Sequence, residues 1–364
     1  MAASGAVTRV PPPFDYILYD CVRLFFANGG QECSVVTVGN FDQVPTKAQF
    51  LAGLAALADV DGPTPILVTE ATGLPASDYY EVARAALEQC AQRRDRFAVL
   101  DVIDARGVAE FRENIGDDNL MWGAAYYPYL KTSLTYAYSE QSVVLGAQGG
   151  TLADVQDVRL RRGIVEAISQ QTITLPSSPA VAGAYAQADG ETGVWKAPVN
   201  VALSEVLGPT IPVSDADQGA LTFDADGKSI NAIRAFPVYG TLVWGARTLA
   251  GNDPQWKNVS VRRLMTMIEE SVKAATAWAA FGPNAAITWS ILTAMVESFL
   301  TRLWQAGAMA GATPADAFFV NVGLGSSMTQ QDIADCRLVI ELGVAAVDPA
   351  EFIVVRITHH VASD

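Results

Sequence analysis

An α/β body followed by a smaller α+β body is the fold class this sequence predicts, and three observations predict it. Apolar runs of strand length, such as Phe97-Ala98-Val99-Leu100-Asp101-Val102-Ile103, alternate with amphipathic helical stretches up to residue 240. That alternation marks a largely parallel sheet covered on both faces. Gly240 to Arg263 then reads as strand, Gly-bounded turn, loop and helix start. Beyond it, two long helical stretches lead into three strands.

Each element follows from local chemistry. Residues 1–13, closing on Pro11-Pro12-Pro13, are set apart as a short extended arm, because proline fixes φ and donates no N–H. Tyr16 to Phe26 has helical spacing, and Asn28-Gly29-Gly30 stops it with residues permissive for a left-handed cap. Cys33 to Gly39 is a β-branched run of strand length. Lys47 to Ala58 places Phe50, Leu51, Leu54 and Leu57 on one helical face; Pro65 to Thr69 follows as a buried strand. Ser77-Asp78 offers an N-cap for a helix through Cys90. Ala124 to Tyr129 and Ser133 to Tyr138 continue as aromatic strands.

Gly149 to Asp154 and Thr174 to Pro179 read as turns, with a helix from Arg159 to Ile168 between them. Ala180 to Ala186 is small and closely packable, and Gly190 to Pro198 is a loop holding Trp195. From 208 to about 228 the Pro, Asp and Gly content predicts an exposed excursion. The main body is therefore 14–240 and the second body 241–364. In the second, Val261, Leu264, Ile268, Val272 and Ala275 form a helical stripe, with Glu269 and Lys273 spaced for an ion pair. Phe281-Gly282-Pro283 ends that helix. The next sets Ile287, Ile291, Met295, Phe299 and Leu303 four apart and is apolar enough elsewhere to be buried on more than one side. The strands that close the chain are Phe318 to Val322, Arg337 to Val344 and Phe352 to Thr358.

Composition excludes several functions. The chain of 364 residues has a net charge of −15, with 39 acidic against 24 basic side chains. Nucleic-acid binding and general affinity for anionic membranes both need the opposite sign, so neither partner is expected. Ala285 to Ala312 is broken by Glu297 and Arg302, too soon for the ~20 apolar residues of a spanning helix. The start of the sequence lacks the pattern of a signal peptide. Four scattered cysteines (Cys21, Cys33, Cys90, Cys336) have no metal or disulfide spacing and fit a chain folded in a reducing cytoplasm.

Catalytic chemistry finds little support. The two histidines are His359 and His360, at the end of the last strand, so a Ser-His-Asp triad would depend on a frayed tail. As neighbours on a strand they point to opposite faces and make a poor metal pair. Asn28-Gly29-Gly30 precedes a strand where a phosphate loop would follow one, and Gly323-Leu324-Gly325-Ser326-Ser327 lacks the P-loop lysine. Asp215/Asp217 and Asp224/Asp226 lie in the excursion and lack the later ligands of a calcium loop. No cofactor, metal or catalytic residue is expected.

Several segments, in order along the chain, resemble the contractile tail sheath proteins of phages, R-type pyocins and phage-tail-like injection particles. They are Val22 to Gly30 with Val35-Val36-Thr37-Val38; Ala124 to Leu130; Leu175 to Asp189 with Gly193 to Asn200; Ile230 to Arg234; Val243 to Ala250 with Val261 to Leu264; and Pro349 to Ile353. The resemblance implies a structural subunit whose main domain is subtilisin-like in fold without being a protease. It implies stacked rings around an inner tube, contraction that drives the tube through a target envelope, and strands exchanged between subunits. The partners implied are further copies of the chain, the inner tube protein, baseplate and terminator or cap proteins, and paralogous sheath subunits. Such particles assemble in the bacterial cytoplasm and act in a phage tail or as a released extracellular particle. The shared strand would be Phe352, Ile353, Val354, Val355, Arg356, Ile357 and Thr358. Family members usually carry an extended N-terminal arm before the Asn-Gly-Gly region, whereas only residues 1–21 precede the match here. Truncation, a short arm in Ala2 to Pro13 and asymmetric exchange are the alternatives. A hydrolase-like enzyme with a non-histidine base, or a tail terminator or cap, are the competing readings.

Overall fold

The computed structural model describes residues 14–41, 43–62, 64–146, 149–346 and 352–361. The N-terminal arm and residues 347–351 lie outside that set.

Helices α1 (Leu18–Ala27) and α2 (Lys47–Leu57) precede strand β1 (Thr64–Leu67), helix α3 (Ala76–Arg93), β2 (Arg96–Asp101), α4 (Gly107–Asn114) and β3 (Gly123–Tyr127). The chain continues through β4 (Leu130–Thr135), α5 (Val158–Ser169), β5 (Thr172–Leu175), α6 (Ser178–Glu191), β6 (Val201–Ala202), β7 (Val206–Pro209), α7 (Asp215–Thr222), β8 (Ile230–Phe236) and β9 (Gly240–Val243). A six-stranded sheet runs in the order β1-β2-β3-β8-β9-β6. Its β1, β2, β3 and β8 are parallel, while β9 runs antiparallel between β8 and β6.

Alternation along β2 shows why both faces are covered. Ala98 and Leu100 join the core beneath α2, α3 and α4, whereas Phe97 and Val99 join the one beneath α1 and α6. The α/β reading of the first body therefore holds. A second sheet, β5-β4-β7, collects the run after β3.

Asn28-Gly29-Gly30 does more than stop α1. Gly29 has φ +102°, and a Cβ built on Gly183 of α6 would sit 2.5 Å from the Phe25 carbonyl oxygen. The two helices thus cross at contact distance, which only glycine permits. Asn28 is buried there: its amide donates to the Leu24 and Ser204 carbonyls, and its oxygen accepts from the Ser204 N–H.

Within the main body, several expectations need correction. Cys33 to Gly39 is extended and mostly exposed but joins no strand ladder; it lies over α2, where Val38 approaches Gly53, and leaves β1 as the sheet edge. Helix α3 starts after Pro75 and runs through Arg93. Thr172 to Leu175 is strand and Ser178 starts a helix, because Pro179 in its first turn favours initiation. Within 208–228, α7 forms behind a Ser214/Asp217 capping box and buries Leu221 against the core.

The run Gly240–Val243, expected to open the second body, is hydrogen-bonded to β8 as β9 of the main sheet. Asn231 of β8 anchors the segment after β9: its amide donates to the Arg247 carbonyl at 2.8 Å, and the Arg247 N–H donates to its oxygen at 2.7 Å. The remaining elements are α8 (Val259–Thr276), α9 (Ala286–Gln305), α10 (Pro314–Ala317), β10 (Phe318–Val322), α11 (Gln330–Ala334), β11 (Arg337–Ala345) and β12 (Phe352–His360). The three strands form an antiparallel sheet in the order β10-β11-β12, sharing one core with α8 and α9.

Candidate assembly surfaces

Strand β12 alternates without a break. Ile353, Ile357 and Val361 are buried and Val355 and His359 half-buried, while Phe352, Val354, Arg356, Thr358 and His360 are exposed. Its period of two against the α8–α9 core fixes the register with β11, from Ala345 opposite Phe352 to Arg337 opposite His360. Two cross-strand contacts reinforce it. Phe352 meets Phe319 of β10 edge to face at 5.5 Å, reaching across Gly343 of β11, and Arg356 pairs with Glu341 of β11 at 2.6 Å, holding that carboxylate below its ordinary range.

The seven residues Phe352 to Thr358 thus lie on one strand, paired inside the chain. Sheet order leaves the outer side of β12 without a strand among the described residues, a row of backbone groups open to pairing. The strand also runs further than expected, through His360. Rather than fraying, His359 is half-buried with its Nε2 2.8 Å from Thr276 Oγ1, and burial, with Lys273 nearby, lowers its pKa.

Helix α9 presents a second surface. Its buried positions are Thr288, Leu292, Val296 and Leu300, one residue out of phase with the expected stripe. Met295, Phe299 and Leu303 still pack on the core from the flank. Ile287 and Ile291 do not: they are 67% and 49% exposed, and Phe281, ahead of the helix in the chain, is 90% exposed. The helix is thus not buried on every apolar side, and two isoleucines one turn apart stand in solvent.

Behind these surfaces, α8 fastens the C-terminal elements to the main sheet. Arg262 is buried with its guanidinium 4.2 Å from the ring centres of both Trp122 and Trp256, and donates to Glu269 at 3.0 Å. Glu269 therefore pairs with Arg262, with Arg94 3.8 Å away, while Lys273 approaches Glu270 at 3.9 Å. Arg263 forks onto both carboxylate oxygens of Asp189 and lies over Tyr185.

One buried carboxylate tests the hydrolase reading. Asp101, at the end of β2, accepts from the Ser178 N–H at 2.8 Å and from the Ser178 hydroxyl at 2.5 Å; burial raises its pKa to about 6. This aspartate caps the start of α6 from another element. Ser178 is itself buried, and the described histidines lie on β12, so Asp101 and Ser178 lack the imidazole relay of a triad. Among the described residues no group of three or more His, Cys, Asp or Glu side chains converges as a metal site.

A main α/β body clamped to a smaller sheet, with no strand on the outer side of β12 among the described residues, is an architecture that can pair with copies of itself. The comparisons agree. A family model described as the phage tail sheath C-terminal domain matches residues 251–359. A prophage major tail sheath protein of Pseudomonas aeruginosa (strain UCBPP-PA14) is 30% identical over 106 residues, 29% of this chain; the match spans only 27% of that relative. Among solved structures, the contracted sheath complex of PVC, an extracellular contractile injection system, is 30% identical over 94% of this chain and 80% of its own, with a TM-score of 0.68. A chain of the anti-feeding prophage baseplate is 28% identical over 98% of this chain and 84% of its own, with a TM-score of 0.69. The sheath tail protein of Desulfitobacterium hafniense, 14% identical over 92% and 66% with a TM-score of 0.54, shares the fold. The chain belongs to the contractile tail sheath proteins.

Proposed function

We propose that this chain is the structural subunit of a contractile sheath. Copies stack as rings around an inner tube and contract to drive the tube through a target envelope, with baseplate and terminator proteins closing the two ends. The work is mechanical, without catalysis or cofactor. The main domain is the subtilisin-like part, and the C-terminal domain begins after β9. Subunits would be assembled in the bacterial cytoplasm and act in a phage tail or a released particle.

The observation that carries this reading is the open outer side of β12 in a member of this family. A strand from a neighbouring copy can add there through main-chain hydrogen bonds, which hold the lattice while side-chain contacts rearrange. The α9 face around Ile287 and Ile291 is the surface offered to the tube. Electron microscopy of the expressed chain, alone and with its tube protein, is the test. Helical cylinders with a central channel are expected; isolated monomers under both conditions would overturn the reading.

A further inference from the structure

In a chain of net charge −15, helix α5 is an exception. It carries Arg159, Arg161 and Arg162 against one glutamate, Glu166, and juts from the β4–β5 connection with most of its surface in solvent. Val158, Arg162 and Val165 stand at i, i+4 and i+7, one stripe of the helix, and the two valines are 77% and 36% exposed. Arg161 is tied to Glu140, whereas Arg159 and Arg162 have no carboxylate partner among the described residues. A basic, partly apolar helix face is thus left open.

The complementary surface lies on the same molecule, elsewhere in the fold. Segments 113–118 and 214–227 contain seven acidic residues and no lysine or arginine. They meet because Arg112 donates to the Ala220 and Leu221 carbonyls and contacts Asp224 at 3.4 Å, while Lys228 holds Asp117 at 2.8 Å. Those two cations lie beneath the surface, with side chains 16% and 8% exposed, so the outward charge is that of Glu113, Asp118, Asp217 and Asp226. In the second of these segments, beside Asp224, Phe223 is 67% exposed, its ring stacked on the half-buried Arg247. An acidic surface that also exposes an apolar side chain is what a helix pairing arginines with valines requires.

We propose that α5 of one copy docks on the acidic surface around Phe223 of a second copy. The two patches differ, so the contact is heterologous and propagates from copy to copy into rings or helices. The inference rests on the reading of the chain as a self-assembling sheath subunit and adds a charge-dependent contact to its backbone-paired one. Unlike strand pairing, it is weakened by salt, because exposed charges are screened within about 10 Å at 0.1 M ionic strength.

The test is charge exchange in the full-length chain. R159E/R162E should lower the assembled fraction about tenfold at low salt. D118K/D226K, at acidic sites with no ion pair among the described residues, should do the same. Mixed in equal amounts, the two variants should assemble again by alternating, since each reversed helix then meets the patch carrying the two lysines and each unaltered helix meets the unaltered acidic patch. The chain carrying all four substitutions should assemble by itself. Unchanged thermal melts would show that the exposed substitutions leave the fold intact. Assembly of both reversed variants at the unaltered level, or no recovery in either the mixture or the combined chain, would overturn the contact while leaving the sheath reading standing. Failure of the unaltered chain to assemble, alone or with its tube protein, would remove both.

Discussion

The guanidinium of Arg262 lies 4.2 Å from the centre of the Trp122 ring, and that contact joins the start of α8 to the main sheet. Trp256 closes the other side at the same distance. Arg262 is 1% exposed, so its charge depends on Glu269 for compensation; its Nε is buried without a hydrogen-bond partner. Removing one member of such a pair strands the other, at about 3–5 kcal/mol, whereas replacing both by groups of similar shape costs far less. R262A should therefore lower the denaturation midpoint strongly, and R262M/E269Q should recover much of the loss relative to R262M. Equal midpoints for R262A and the unaltered chain would show that the stack carries no stability.

Asp101 gives a pH dependence with a defined sign. Its pKa in the fold is raised from 3.8 to about 6 by burial, against the opposing hydrogen bonds of Ser178 and Ser177. The folded state then holds a proton that the unfolded chain releases earlier. The stability this contributes is complete below the unfolded value and is lost as pH rises through about 6, by up to roughly 3 kcal/mol. Thermal melts between pH 4 and 7 should fall more steeply for the unaltered chain than for D101N. Parallel profiles would remove Asp101 as the cause.

What the sequence reveals divides along the range of the interactions involved. The period-two alternation from Phe352 onward is local, and it marks both the strand and its buried face. The phase of α9 is not legible, because a helix apolar on several sides offers more than one stripe, and the buried face includes Thr288. Cys33 to Gly39 has strand chemistry, but chemistry alone does not supply a pairing partner. The cap on α6 joins residues 77 apart, so no window on the sequence contains it. Arg262 is hidden for a related reason: Glu269 lies seven residues away, and the regular (i, i+4) spacing from Glu269 to Lys273 competes with that pairing.

Strand exchange at β12 needs a sharper test than deletion. Removing Phe352 onward would also strip Ile353, Ile357 and Val361 from the core they share with α8 and α9, so failed assembly would report only failed folding. Proline at successive positions separates the two effects. In an antiparallel edge strand, consecutive N–H groups point alternately to the neighbouring strand and away from it. Of V354P and V355P, one should unpair β12 from β11 and lower the melting temperature. The other should keep the fold and abolish polymerisation, because proline removes an outward donor. Cylinders formed by both variants would sink the exchange claim.

The α9 face is tested by charge. Ile287 and Ile291 occupy successive turns on the solvent side, where lysine is at least as good a helix former and meets no core neighbour. I287K/I291K should therefore melt within a degree or two of the unaltered chain, surface changes of this kind being worth about 0.5 kcal/mol or less. Its effect should fall on association. If the tube packs against this face, each isoleucine buried there contributes about 25 cal/mol per Å² of apolar area removed from water, and lysine forfeits that while desolvating an ammonium. Co-expression with the tube protein should then give empty sheaths or free tubes in micrographs where the unaltered chain gives sheathed ones. Sheathed tubes in normal yield from I287K/I291K would mean that the tube is held by another surface, and would leave this face to a neighbouring subunit.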